Sequence, residues 1–293
     1  MTYETYSRLL PAFKKTGLVY LQGWGEPFTN PDIFRMIAAA KASGPLVGTS
    51  TNGMLLDDDR IEELIKSGLD IIAFSLAGTS EKNDLFRAGT SIEKVLHTIH
   101  KINEVKAKCG IEKPRIHIAY MLLDSARKEL DGLVPLLGRI KIDQVVISTL
   151  DMIPNNKLKE EAITPRDNIE YREMSRFLED IVSKADELGV KVHYNLAHPE
   201  RKQGICLERA GDSFFVSSDG SVSPCVFTNL PVADESVSAG DQQMSYRRLV
   251  FGSINDESVG RIWGSKSYRR FRQSFRSRRY EAVCRKCRKL YMG

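Results

Sequence analysis

The chain has 293 residues, 43 Lys and Arg against 38 Asp and Glu, and 42% hydrophobic residues, for a formal net charge of +5 at pH 7. This composition excludes a disordered chain, and the length admits one large α/β domain with a small appendage, or two medium domains. With no apolar run of about eighteen residues, and neither a basic nor an apolar stretch in Met1-Thr2-Tyr3-Glu4-Thr5, neither a transmembrane helix nor a signal peptide is expected. A cytoplasmic location follows, in which thiols stay reduced and clustered cysteines serve metal or cluster ligation rather than disulfides.

Tyr3–Lys15 reads as a helix with Tyr6, Leu9, Leu10 and Phe13 on one face. From there to about residue 195, β-rich runs alternate with amphipathic stretches. The strands are expected at Leu18–Gln22, Leu46–Thr51, Ile71–Leu76, Ile116–Leu122, Gln144–Thr149 and Val190–Tyr194. Several are almost continuously apolar, which suits parallel strands covered on both faces. Helices are expected at Asp32–Ala42, Asp57–Ser67, Ser91–Lys108, Ser125–Leu137 and Asn168–Leu188, with Asp57 and Ser91 as N-caps and Gly68, Gly110 and Gly189 as stops. A repeated βα unit with short connections predicts a parallel sheet curving toward a barrel. Near Gly204 the pattern changes: Ser213–Val216 and Ser221–Phe227 read as a hairpin, Pro231–Tyr246 as an exposed loop, and Ser258–Phe275 as one helix with Tyr268, Phe271 and Phe275 on a face. The domains are therefore placed at 1–200 and 201–293.

Charge is unevenly spread. Twelve Lys and Arg lie between Arg261 and Lys289 against one acid, Glu281, so the rest of the chain is net negative. Such a patch suits a solvated face or an acidic partner, and its neighbourhood suits an anionic cluster. Nucleic acid is disfavoured because no stacking motif accompanies the cations.

Polar groups recur after the strands, where parallel α/β folds place their sites. They are Gly23-Trp24-Gly25-Glu26-Pro27, Thr51-Asn52-Gly53, then Ser75 before Ala77-Gly78, and Arg87-Ala88-Gly89. A carboxylate, an amide, a hydroxyl and a guanidinium on successive loops suit a zwitterionic, ribose-bearing ligand. Four of the five cysteines fall in the last third: Cys206 and Cys225 flank a hairpin, and Cys284 and Cys287 form a Cys-x-x-Cys pair. Two such pairs can converge on one tetrahedral site, and Zn²⁺ and a [4Fe–4S] cluster both accept four thiolates. Cys109 reads as an ordinary free thiol, His97 and His100 as surface or packing residues, and Trp24 as packing. His193, Tyr194 and His198 read as core or loop residues that could instead face a cavity, while Tyr120, Met121 and Asp151 are unranked candidates to line one.

Leu21-Gln22-Gly23-Trp24-Gly25-Glu26-Pro27, followed by Asn30-Pro31-Asp32, resembles the Gly-Gly-Glu-Pro motif of radical S-adenosylmethionine enzymes. Ser50-Thr51-Asn52-Gly53 resembles their third-strand motif and Phe74-Ser75-Leu76-Ala77-Gly78 their fourth. Gly220 and Cys225, with Cys206 before them and Cys284 and Cys287 after, resemble the C-terminal SPASM/twitch module, which binds auxiliary [4Fe–4S] clusters. The resemblance runs from about Val19 to Cys287. It implies an α/β fold: an incomplete (β/α)6 TIM-like partial barrel lacking its first strand, plus a small C-terminal SPASM/twitch iron–sulfur domain.

The resemblance further implies that Gly25 and Glu26 receive the amino group of S-adenosylmethionine, that Ser75 and Arg87 contact its ribose or carboxylate, and that Thr51 and Asn52 line the same pocket. It makes Cys206, Cys225, Cys284 and Cys287 the ligands of one auxiliary [4Fe–4S] cluster; zinc is the structural alternative. The family's Cys-x₃-Cys-x₂-Cys is not in the sequence, so the expectation is an N-terminally incomplete enzyme that is inactive alone. Its complete form would generate a 5′-deoxyadenosyl radical for oxidative or maturation chemistry on a peptide, protein or cofactor precursor, served by an electron donor such as ferredoxin or flavodoxin. The alternative is a non-catalytic metal-binding scaffold.

Overall fold

The computed structural model of the chain describes residues 1–150, 156–199, 206–231, 236–239, 242–285 and 287–290. It divides into two compact units. One comprises Phe13–Thr149 with Arg172–Asn195, and the other comprises Met1–Ala12, Leu150–Tyr171 and Leu196–Gly293.

The first unit is built on a six-stranded parallel sheet in sequential order: β1 Leu18–Leu21, β2 Leu46–Thr51, β3 Ile71–Leu76, β4 Arg115–Met121, β5 Gln144–Ser148 and β6 Lys191–Asn195. Side chains alternate between its faces. Val47, Thr49 and Thr51 of β2, Ile72, Phe74 and Leu76 of β3, Ile116, Ile118 and Tyr120 of β4, and Val145 and Ile147 of β5 are all buried. This face answers the apolar stripes of α3 (Ile33–Ala42), α4 (Asp58–Lys66), α6 (Ile92–Cys109), α7 (Leu133–Leu137) and α9 (Asn168–Glu187), which bury Ile37, Leu64, Val95, Ile99, Ile102, Leu133 and Ile181. The expectation of strands covered on both faces is only half met. The second face carries Tyr20, Ser50, Ser75, His117, Met121, Gln144, Ser148 and Asn195, all part-exposed, with His193 exposed. Parity thus separates Tyr120, sealed under the helices, from Met121. It puts His193 on the polar face, beside Val146. Asp151 lies outside the described residues.

Asn156–Glu160 and Lys82–Phe86 form short helices that the sequence pattern did not reveal (α8 and α5). The Ser125–Leu137 stretch begins as a 3₁₀ segment, Arg127–Gly132, before α7. A Cβ at Gly132 would run into the Thr79 hydroxyl, so the chain passes closely there. Tyr3–Lys15 forms two short helices, α1 (Tyr3–Ser7) and α2 (Leu10–Phe13), and Tyr6, Leu9 and Phe13 are its buried residues.

In the second unit, β7 (Phe215–Val216) and β8 (Ser221–Ser223) form the expected hairpin, and β11 (Gly252–Ser253) joins β8 on its other side. The turn depends on Gly220 at φ +85° and on Asp219, whose carboxylate accepts from Ser217, from the Ser221 N–H and hydroxyl, and from Arg248. The stretch expected as an exposed loop contains an antiparallel pair, β9 (Ser236–Ala239) with β10 (Gln242–Ser245), and Tyr246 after it is buried, accepting the Leu230 N–H at 2.6 Å. The single helix expected over Ser258–Phe275 is broken into α10 (Val259–Gly264) and α11 (Lys266–Arg276). Ser265 turns extended and caps α11 through the Tyr268 N–H. Tyr268 and Phe271 are buried on the expected face, with Phe251 stacked on Tyr268 at 4.3 Å. Among the described residues no helix is long and apolar enough to cross a membrane.

Asp70, just before β3, is 2% exposed and clamps the N-terminal edge of the sheet. Its carboxylate accepts from Lys41 and Lys113 at 2.6 Å each and from the Val47 N–H at 2.8 Å. Burial alone would raise its pKa, but these donors outweigh it and hold the carboxyl below its ordinary 3.8. The stabilisation is therefore complete above the unfolded-state pKa and is lost as pH falls through the folded one. Asp70→Asn is expected to cost about 2 kcal/mol in urea unfolding at pH 7. The gap to the parent chain should narrow only below about pH 4, and a gap that is unchanged at low pH would show that the charge is not what stabilises.

Candidate active site and thiol site

In the first unit the residues after β1 and β2 meet through one carboxylate. Glu26 caps a 3₁₀ turn, Pro27–Thr29, with Oε1 accepting the Phe28 N–H at 3.2 Å. The same oxygen accepts the Thr51 hydroxyl at 2.8 Å, while Oε2 accepts the Asn52 N–H at 2.7 Å. The Thr51 oxygen in turn accepts the Gly53 N–H at 3.0 Å, and Asn52 Oδ1 accepts the Met54 N–H at 2.9 Å. Gly53 is at φ +80°, packed against Val95 and Phe74. These interlocked bonds hold a sharp exit from β2.

Thr51 and Asn52 therefore do join Glu26, but in different ways. Thr51 is 2% exposed with its hydroxyl committed to Glu26 and Gly53, so it supports the carboxylate rather than lining a cavity. Gly25 is exposed, with open space where a Cβ would stand. Arg87 follows α5; burial lowers its pKa and the charge of Glu26 opposes that, which brings the guanidinium within electrostatic reach of the carboxylate. Its Nε is buried without a hydrogen-bond partner. That leaves one strong donor unspent, which is costly unless something polar meets it. Ser75 stands on the polar sheet face opposite Ala119 of β4 and forms no hydrogen bond with Glu26, Thr51 or Asn52.

Glu129 belongs to no sequence motif. This carboxylate, 8% exposed, accepts from the Thr79 and Ser80 N–H groups at 3.2 and 3.1 Å and from the Ser80 hydroxyl at 2.6 Å, with Lys82 3.4 Å away. Asn83, fully buried, accepts the Ala77 N–H at 2.8 Å, and a Cβ on Gly78 would stand 2.9 Å from the Asn83 nitrogen. Glu129 and Asn83 thus fix the loop after β3. Glu129 lies 50 positions from Thr79 and 49 from Ser80, and no local pattern signals such a pairing.

In the second unit three separate segments bring cysteines together. Cys206 is half-buried; the Leu207 N–H donates to the Lys289 carbonyl at 3.5 Å, and Glu208 pairs with Lys289 at 3.2 Å, which ties this segment to the C-terminal one. Cys225 caps a 3₁₀ turn, Val226–Thr228, with the Thr228 N–H and hydroxyl at its sulfur. Cys284 lies in α12 (Ala282–Arg285), and the Cys287 N–H donates to its carbonyl at 3.1 Å.

Burial pushes all three described shifts upward. The Cys206 thiol rises against the pull of the Ala210 and Glu208 N–H groups. Cys225 is pushed up to about 11, and Cys284 rises further, through burial first and then the neighbouring Cys225, Cys287 and Cys206. Cys284 thus feels each of the other three sulfurs. Among the described residues no three His, Cys, Asp or Glu are gathered as tightly as a single metal ion requires. Cys109 is exposed at the end of α6. His100 is exposed and pairs with Glu104, and His198 contacts the Tyr171 ring at 4.5 Å.

Comparison with known proteins bears on both sites. A family model described as Radical SAM superfamily matches residues 2–124, and one described as an iron–sulfur cluster-binding domain, SPASM, matches 206–288. A Pyrococcus furiosus protein named tungsten-containing aldehyde ferredoxin oxidoreductase cofactor-modifying protein is 25% identical over 276 residues, 93% of this chain and 75% of the relative. An AdoMet-dependent heme synthase of Methanosarcina barkeri is 23% identical over 90% of this chain and 75% of its own length. Among solved structures, Streptococcus suis SuiB bound to S-adenosylmethionine superposes with a TM-score of 0.65 at 16% identity, over 93% of this chain. The chain spans 61% of that protein's length. The protein anSMEcpe with bound AdoMet superposes with a TM-score of 0.62 at 17% identity, over 99% of this chain and 79% of that one.

The Glu26 knot makes a direct prediction. Glu26→Ala removes the acceptor of the Asn52 N–H, and hydrogen exchange at that amide is expected to quicken by roughly 10- to 100-fold. Glu26→Gln, which keeps an acceptor oxygen, should show a smaller change. An unaltered rate in the alanine variant would mean that the carboxylate does not hold this turn.

Proposed function

Since the chain belongs to the radical SAM superfamily and carries its SPASM iron–sulfur domain, we propose that it is the catalytic part of an enzyme that matures a peptide or cofactor precursor. The cofactors of this family are S-adenosylmethionine and [4Fe–4S] clusters. When bound they supply one-electron chemistry that ends in removal of hydrogen from a substrate.

On this reading the chain's own groups bind and orient. Gly25 leaves room for close approach of a ligand amino group, and Glu26 receives that positive charge with its orientation held by Thr51, Phe28 and Asn52. Arg87 brings an unspent buried donor, suited to a carboxylate or ribose oxygen. Ser75 is available on the polar sheet face for the same ligand. Cys206, Cys225, Cys284 and Cys287 hold one auxiliary [4Fe–4S] cluster. The observation that carries this assignment is the convergence of three segments bearing Cys206, Cys225 and the Cys284/Cys287 pair, the first tied to the last through the Leu207 N–H and Glu208 contacts with Lys289, with Cys284 sensing the charge of the other thiols. An all-sulfur donor set suits iron–sulfur or zinc. A zinc ion would draw its four sulfurs to about 2.3 Å from one centre, whereas a cubane spreads its ligands more widely.

The preference for peptide or cofactor maturation draws on relatives named for cofactor modification and heme synthesis, and on a SuiB structure bound to the precursor peptide SuiA. Cys109 is the first cysteine in the sequence. The three thiolates of the S-adenosylmethionine cluster therefore come, on this proposal, from outside these 293 residues, and the chain alone is inactive. The same observation favours a second reading, a non-catalytic scaffold that keeps only the SPASM metal site.

Anaerobic iron and sulfide reconstitution tests the cluster. A brown protein with about four iron per chain is expected, falling below about one iron in Cys225→Ala; a colourless protein that loads zinc instead would overturn the assignment. Release of 5′-deoxyadenosine from S-adenosylmethionine under reduction, once a Cys-x₃-Cys-x₂-Cys segment is supplied, separates the enzyme from the scaffold.

A further inference from the structure

The turn that Glu26 caps leaves one backbone group without a local partner, and the sequence says why. A carbonyl in such a turn is met by the N–H three residues on, or by the one four on. For Phe28 these are Pro31, which has no N–H, and Asp32, whose N–H is spent on Asn30 Oδ1 at 3.0 Å. Phe28 is 1% exposed, and a buried carbonyl left unmet is costly. The donor that meets it stands 32 positions away: Arg60, in the first turn of α4, donates Nη2 to the Phe28 carbonyl at 2.6 Å. The guanidinium lies 5.9 Å from the Phe28 ring centre and 5.5 Å from that of Phe34. Its Nε is buried and makes no hydrogen bond. An exposed arginine would keep all its donors in water; this one is drawn over two rings and aimed at a single carbonyl.

The other polar end of Phe28 faces the candidate site. Its N–H donates to Glu26 Oε1 at 3.2 Å, the oxygen that also takes the Thr51 hydroxyl. One residue thus carries Arg60 on its carbonyl and Glu26 on its N–H. The exit of β2 repeats the pattern: the Met54 N–H donates to Asn52 Oδ1 at 2.9 Å, and the Met54 carbonyl accepts Lys94 Nζ, from α6, at 2.8 Å. Lys94 is exposed, so its bond competes with water and holds less firmly than that of Arg60.

We infer that Arg60 is a positioning residue for Glu26. By clamping the Phe28 carbonyl from behind, it fixes the N–H that aims Oε1, and so sets where the carboxylate receives the ammonium group of a ligand. This rests on the reading of Glu26 as that receiver. Arg60 acts through the turn and not on the ligand: a carboxylate already held in its binding geometry needs no ordering when the ligand arrives. Plain support of α4 is the competing account. The two are separable, because the amide of Leu64, fully buried in α4, reports on the helix, while those of Phe28 and Asn52 report on the turn.

The test uses the full chain and three variants: Arg60→Met, which keeps an apolar stem over the rings, Arg60→Lys, which keeps a cation, and Lys94→Met for comparison. Hydrogen exchange is followed by NMR, and S-adenosylmethionine binding by the shifts of the Gly25 and Asn52 amide signals. Arg60→Met is expected to quicken exchange at Phe28 and Asn52 about tenfold while Leu64 is unchanged, and to weaken binding about three- to tenfold. Arg60→Lys should show smaller changes in the same direction, and is read by the same criteria where Arg60→Met does not fold. Lys94→Met should weaken binding less than Arg60→Met does. Exchange at Phe28 and Asn52 that ignores the loss of Arg60 would overturn the inference. So would quickened exchange with unaltered affinity, or quickening that spreads equally to Leu64. If the parent chain shows no response to S-adenosylmethionine yet exchange changes as described, the clamp on Glu26 stands and the reading of Glu26 as the receiver fails.

Discussion

The two-residue alternation of a parallel sheet is the constraint on which the first unit depends. Because hydrogen bonds lock β1 to β6 in a continuous register, the parity of each side chain decides whether it packs under helices or stands on the polar face. Val47, Ile72, Ile116 and Val145 fall on the sealed side, and Ser50, Ser75, His117 and Ser148 on the other. A ligand at the strand ends would thus meet hydroxyls, imidazoles and amides on one surface while the opposite surface supplies the burial that keeps the sheet folded. Function and stability are separated by one residue's step.

Much of this was legible because its signals are local. Each of the six strands has a β-rich run, and Asp57 and Ser91 cap helices through their own side chains as their residue types suggest. The polar motifs at the strand ends were legible for the same reason. The parity of Tyr120 follows from the Arg115-Ile116-His117-Ile118 alternation, which places it on the Ile116 side. That of Thr51 was not legible, since Thr49, Ser50 and Thr51 put small hydroxyl residues on both faces of β2. Nor was Glu129, whose partners lie far away in sequence. The break at Ser265 was hidden because the apolar spacing of Tyr268, Phe271 and Phe275 continues the periodicity, while a single serine capping the Tyr268 N–H decides the boundary. The pairing of β9 with β10 runs through Ser236–Ala239 and Gln242–Ser245, four residues each, and the Ser-Val-Ser-Ala alternation of the first is too short to announce a strand within a polar stretch.

A second regularity joins the sheet to its candidate site. Parallel strands leave backbone donors at their ends, and in this chain carboxylates meet several of them. Asp70 takes the Val47 N–H and Asp143 the Ile116 N–H at one end of the sheet, while Glu26 takes the Asn52 N–H and Glu129 the Thr79 and Ser80 N–H groups at the other. Donors hold these carboxylates ionised against burial: Lys113 and Lys41, then the Val47 N–H, at Asp70, and the Ser80 hydroxyl, the Thr79 N–H and Lys82 at Glu129. Glu26 differs in that a buried guanidinium with a free Nε stands within its field. Glu26 already accepts from Phe28, Thr51 and Asn52, so the unspent donor of this pair is Arg87 Nε, the position where a polar ligand group would complete the network.

The thiol site carries the opposite electrostatic sign. Burial makes the Cys206, Cys225 and Cys284 thiols resist ionisation, and the neighbouring sulfurs raise the cost further at Cys284. A metal ion reverses that logic, because its charge stabilises the thiolates and binding releases their protons. The donors already aimed at Cys206 and Cys225, the Glu208, Ala210 and Thr228 N–H groups, have little use for a neutral thiol and much for a thiolate. The protein thus builds hydrogen bonds for the charged form of groups whose burial favours the neutral one. On the proposed reading a bound metal centre would remove that conflict, and Cys225 would meet it from the N-cap of the Val226–Thr228 turn.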